Sequence, residues 1–200
     1  MQPFGHTMIK ILSTIVFIWV GLTFYVQIDG KVFQEEFGVP SVKDSVLIVF
    51  DPDPFYNLDQ QVCRSMAKSL AREGWFAVVS SVSLAKSIQV PYDAYVICAN
   101  TYNWEPDWAV TRFIYQSPFL KNRPVTAITL GAGSTGRAQS VLEDKLRAKE
   151  ARLILSDSYW LLRPNDESMM EESNVEVAKN MATELGVRFS ENYRQQLTSN

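Results

Sequence analysis

The chain has 200 residues, with 22 acidic and 19 basic side chains and a net charge of −3, so it carries no basic footprint for nucleic acid. Its two cysteines, Cys63 and Cys98, stand far apart and match neither a disulfide framework nor a zinc site. The one histidine is His6, so the rest of the chain has no imidazole for Ser-His-Asp, Cys-His or HExxH chemistry, and no histidine-ligated metal site is expected.

In chain order, the first element is an uncharged run, Ile11 to Val26, which with its neighbours from Met8 to Ile28 reaches the ~20 residues that span a bilayer. Lys10 at one end can snorkel, and Tyr25 at the other suits an interface. The run exits into YVQIDGKVF, which offers no small-residue cleavage site, so residues 1–28 read as an uncleaved anchor and residues 8–28 as the membrane contact. Lys10 lies on one side and Lys31 and Lys43 on the other, so positive charge does not set the orientation. Residues 29–44, with Gly30, Gly38 and Pro40, read as a juxtamembrane linker.

Val46 to Phe50 is a continuous apolar run, the pattern of a strand buried on both faces. Val62, Met66, Ala67 and Leu70 then repeat at helical spacing from Leu58 to Glu73, and Gly74 follows as a C-terminal cap. Phe76–Val79 is a second strand, Leu84–Ile88 a helical turn, and Ala94–Cys98 a third strand. Pro106 stands where a first-turn proline belongs, ahead of a helix with Trp108, Ala109, Phe113 and Ile114 on its inner face. Val125–Leu130 is a fourth strand. A glycine-rich turn leads to a helix carrying Ala138, Val141, Leu142 and Leu146, and Leu153–Leu155 is a fifth strand. Asn174 caps a last helix that Gly186 closes, leaving residues 190–200 as a polar tail. Alternating strands and helices predict an α/β domain over 45–189, a doubly wound five-stranded parallel sheet in the order 2-1-3-4-5. In that order the ligand crevice lies at the loops Asp51–Leu58, Asn100–Pro106 and Gly131–Arg137.

Tyr92 to Leu155 carries a resemblance. The third strand ends in Ala99-Asn-Thr-Tyr-Asn-Trp-Glu-Pro106 and a helix. Lys121-Asn-Arg-Pro-Val125 enters the fourth strand, and Gly131-Ala-Gly-Ser-Thr-Gly-Arg137 leaves it. This is similar to the flavodoxin and NAD(P)H-dependent flavin reductase superfamily. The resemblance implies FMN as cofactor, with Thr101, Tyr102, Asn103, Trp104, Gly131, Ala132, Gly133, Ser134, Gly136 and Arg137 around it. It also implies a redox partner, a role in electron transfer or quinone or flavin reduction, and a domain on the cytoplasmic face. The loop after the first strand departs from the family. Phosphate there needs hydroxyls and backbone amides, whereas Asp51-Pro-Asp-Pro-Phe-Tyr-Asn-Leu-Asp59 supplies two prolines and three aspartates.

Three functions stay open: an FMN-binding redox protein, a flavin-free binding or scaffold module on a membrane anchor, and a Mg²⁺-dependent phosphatase using Asp51 and Asp53 in a D-x-D pattern. Gly131–Gly136 also matches G-x-G-x-x-G, with Asp157 at the spacing of a ribose-binding acid.

Overall fold

The structure is a computed structural model that describes residues 3–40, 42 and 44–198; the outermost residues of the expected anchor and tail, and Lys43, lie outside them. Helix α1 spans Pro3–Tyr25, and its Thr7–Tyr25 stretch, with mean hydropathy 1.9 and none of its residues fully buried, is long and apolar enough to cross a membrane. Strand β1 follows at Gln34–Phe37, then β2 at Ser45–Phe50, α2 at Leu58–Arg72, β3 at Phe76–Ser81 and the short α3 at Val82–Ala85. Strand β4 (Ala94–Tyr102) forms a hairpin with β5 (Glu105–Pro106), ahead of α4 (Trp108–Gln116), β6 (Pro124–Gly131), α5 (Gly136–Ala148), β7 (Arg152–Trp160) and α6 (Asn174–Thr198).

The strand order is β1-β3-β2-β4-β6-β7. The five parallel strands thus run 2-1-3-4-5, as the pattern predicts. Val46, Ile48 and Phe50 face α2 and α6, while Leu47 and Val49 face the layer of α3, α4 and α5. Central strands buried on both faces carry no polar alternation, which is why they read as unbroken apolar runs.

Several expectations are corrected, among them the polar tail, since α6 continues through Ser190 to Thr198. The segment expected as a linker supplies β1, which pairs antiparallel with β3 through Gln34↔Ser80 to Phe37↔Ala77. Its alternating pattern, half-buried against exposed, is that of an edge strand. Strand β7 runs to Trp160, well past Leu155, because its polar residues find partners: Gln139 bonds Ser156 and Ser158, and Arg188 bonds Asp157. Pro106 lies in β5, and Asp107 rather than proline opens α4, its Oδ1 accepting the Val110 amide at 2.7 Å. At the start of α6 the Ser173 hydroxyl accepts the Glu176 amide, while Asn174 ties back to the Leu161 carbonyl.

Gly186 does not end α6. It sits where α6 crosses α2: a Cβ there would lie 2.9 Å from the Ser69 side chain and 3.2 Å from the Met66 carbonyl oxygen. The glycine admits close helix approach, sealed by the Ser69 hydroxyl on the Thr183 carbonyl at 2.7 Å. Gly186→Val is expected to lower stability by about 1–3 kcal/mol through overpacking. Urea unfolding checks this, and an unchanged midpoint would contradict the packing.

Candidate functional site

The crevice lies at the carboxyl ends of β2, β4 and β6, where a doubly wound sheet changes direction. A cavity of about 230 Å³ opens there, lined by residues of all three loops, including Thr101, Tyr102, Gly131 and Ala132, and by Leu161 and Leu162 beyond β7. Drug-sized ligands usually occupy roughly 300–1,000 Å³. The Thr101 hydroxyl oxygen is buried and has no hydrogen-bond partner among the described residues.

The other expected site residues disperse. Asn103 and Trp104 form the tip of the β4–β5 hairpin and are exposed. Gly133 packs against Arg163, and Ser134, Gly136 and Arg137 are exposed. Arg137 is held by Glu105, with nitrogen–oxygen distances of 2.6 and 3.0 Å, and does not reach the aspartates. The Gly131 and Ala132 carbonyls accept amides of Leu161 and Leu162, so the glycine-rich turn leans on the end of β7. Asp157 faces α6, bonded by Arg188 and Tyr159, which removes it as a ribose ligand for that turn.

Below the cavity lies a network that composition alone does not reveal. Asp51, Asp59 and Asp107 are 4%, 1% and 1% exposed, and Asn100 joins them. Asn100 Nδ2 donates to the Asp51 carbonyl and to Asp59 Oδ2, each at 3.0 Å, while its amide donates to Asp107 Oδ2 at 3.0 Å. Burial pushes the carboxyls of Asp51 and Asp59 up to about 6, against hydrogen bonds that pull them down. Burial likewise raises Asp107 far above the usual carboxylate range. The sequence signal for this network was the set of acidic residues bounding apolar strands and helices, which is also what a solvated loop looks like.

The phosphate end of an FMN site does not fit these residues. Asp59 Oδ2 accepts the Asp53 amide at 2.6 Å, and its Oδ1 accepts the Gln60 amide at 2.6 Å. Asp53 Oδ1 accepts the Phe55 and Tyr56 amides at 2.6 and 2.8 Å. Pro52 and Pro54 have no amide hydrogen to give. Donors that would wrap an anion are thus turned onto the chain's own carboxylates. The linker also closes over this loop: the Gly30 amide donates to Asp51 Oδ1 at 2.8 Å, and a Cβ on Gly30 would lie 2.5 Å from the Pro52 carbonyl oxygen. Asp53 is tied further to the Tyr102 hydroxyl, whose proton burial and the adjacent carboxylate hold firmly.

The paired-carboxylate alternative meets the same geometry. Asp51 engages Gly30 while Asp53 engages its own loop and Tyr102. Among the described residues, no three His, Cys, Asp or Glu side chains are grouped to hold a metal ion.

No protein-family profile matches the chain, and no curated protein matches it in sequence. Solved structures do. Oxidised flavodoxin 2 from Bacillus cereus aligns with a TM-score of 0.51 at 18% identity, over 74% of this chain and 98% of that one. Rubredoxin oxygen:oxidoreductase from Desulfovibrio gigas aligns at 0.53 and 15% identity, over 76% of this chain but 37% of that one. A flavone reductase aligns at 0.51 and 12% identity, over 72% of this chain and 62% of that one. Strand order, crevice position and these likenesses agree that the domain behind the apolar helix has the flavodoxin-like fold.

Proposed function

We propose that this chain is a single-pass, membrane-anchored flavodoxin-like domain that works as a binding module without a phosphate-anchored flavin. The observation that carries the reading is the occupation of the Asp53, Phe55 and Tyr56 amides by Asp59 and Asp53. A dianionic phosphate would have to displace these carboxylates and then sit among them, in a partly desolvated setting where like charges repel strongly.

The experiment is an FMN titration of the full chain purified in detergent. The protein is expected to be colourless and to leave FMN fluorescence unchanged. Yellow protein, or saturable quenching of added FMN, would overturn the reading.

A second reading is FMN-dependent electron transfer or NAD(P)H-dependent quinone or flavin reduction. It is favoured by one observation: Thr101, Tyr102, Gly131 and Ala132 line one cavity, where the Thr101 hydroxyl, without a partner among the described residues, is available to a ring substituent. Bound flavin would supply the redox chemistry, and Thr101 and Tyr102 would border its ring. The same titration decides between the two.

A further inference from the structure

The apolar helix is not joined to the domain by a free tether. Its last turn lies on the crevice rim. Asn103 Nδ2 donates to Thr23 Oγ1 at 3.1 Å. The Phe24 ring meets Trp108 edge-on at 5.9 Å, and the Tyr25 ring meets Phe55 at 5.8 Å. One turn later, buried Gln27 accepts the Trp108 amide at 2.7 Å, satisfying a donor that the start of α4 leaves free.

Helix length then fixes depth. The 19 residues Thr7–Tyr25 rise about 28 Å at 1.5 Å each, nearly all of the ~30 Å hydrocarbon thickness. A spanning α1 therefore has Tyr25 at the hydrocarbon boundary. Whatever touches Thr23–Tyr25 lies at that boundary too.

The rim is built for such a place. Asn103 and Trp104 hold φ of 51° and 62°, the left-handed region that a bulky side chain adopts only at a cost. The turn leaves Trp104 61% exposed, and on the facing loop Phe55 and Tyr56 are 58% and 57% exposed. Exposed aromatic side chains are costly in water but favoured at membrane interfaces. The rim's carboxylates are each engaged: Asp29 is paired with Lys86 and Arg112, Glu105 with Arg137, and Asp53, which keeps its charge, accepts hydrogen bonds from loop amides and Tyr102.

We propose that Phe55, Tyr56, Asn103, Trp104 and Trp108 form the domain's membrane-contact surface, lying in the headgroup layer of the bilayer that α1 spans. The proposal rests on the anchor of the preceding reading and adds an orientation. The sheet's carboxyl edge faces lipid, and the cavity beside Tyr56 and Tyr102 opens onto the bilayer surface. Its occupant arrives from the membrane side.

The test uses the full chain in phosphatidylcholine vesicles, with an environment-sensitive fluorophore on a single introduced cysteine. Cys63 and Cys98 are both buried in the fold, which limits background labelling. Labels go at Trp104→Cys or Phe55→Cys on the rim, at Val90→Cys before β4 on the opposite edge, and at Leu12→Cys within α1. Nitroxide lipids labelled near the headgroup are expected to quench both rim labels several-fold more than the Val90 label. Rim and Val90 labels quenched equally weakly, with the Leu12 label quenched by deep nitroxides, would overturn the docked orientation and leave the anchor standing. No quenching at Leu12 either would overturn the anchor with it.

Discussion

Acidification from pH 7 towards pH 4 is expected to stabilise this domain, the reverse of ordinary acid behaviour. The cause is Asp59, 1% exposed, whose carboxyl is raised from 3.8 to about 6 by burial. A raised folded-state value means the native chain binds more protons than the unfolded one across that window. Its contribution is complete below about pH 4 and lost as pH climbs through about 6, amounting to about 3 kcal/mol. Asp51 and Asp107 shift in the same direction. Asp29, lowered chiefly by its hydrogen bond from Lys86, acts oppositely and loses its contribution as pH falls below the ordinary carboxylate value. Urea unfolding of the full chain in detergent, followed by tryptophan fluorescence, should give a higher midpoint at pH 5 than at pH 7. Asp59→Asn should flatten the slope, since the amide keeps one acceptor for Asp53 and Asn100 without the charge. A midpoint that falls on acidification, or a variant with an unchanged slope, would remove the buried-carboxylate account.

Truncating Trp75 is expected to cost about 3–5 kcal/mol. The side chain is 2% exposed, between the end of α2 and the start of β3. Its ring meets Tyr193 at 4.6 Å and Phe189 at 5.4 Å, and its Nε1 donates to Ser190 Oγ at 2.9 Å. Trp75→Ala would therefore open a cavity and free the far half of α6. Tyr115→Ala, at a position 82% exposed, should change stability by less than about 0.5 kcal/mol. Denaturant unfolding of both compares them directly. A loss below about 1 kcal/mol for Trp75→Ala would mean that residues beyond Gly186 do not hold the core.

The reach of α6 shows why parts of the sequence misled. Ser190 and the residues after it read as a polar tail because local composition cannot register a distant Trp75. Ser190 is fully buried, its hydroxyl oxygen accepting the Trp75 indole hydrogen. Gly186 read as a stop because glycine commonly ends helices, whereas here it is selected by the close approach of α2. Strand β1 was hidden for a similar reason: an edge strand carries little apolar signal, and its ladder is supplied by β3.

The residues by themselves determined the spanning-length helix, the five parallel strands and their doubly wound order. Each of these depends on apolar periodicity, a short-range property. They also determined that the loop after β2 is poor in donors and rich in acid. Only the tertiary structure decided what that acid does. Asp51, Asp59, Asp107 and Asn100 come from separate elements, and their burial and shared hydrogen bonds exist only once β2, β4 and the starts of α2 and α4 converge. The packing of α1's last turn on the crevice rim is likewise a property of the assembled fold, because Thr23 and Asn103 are brought together across 80 positions of chain.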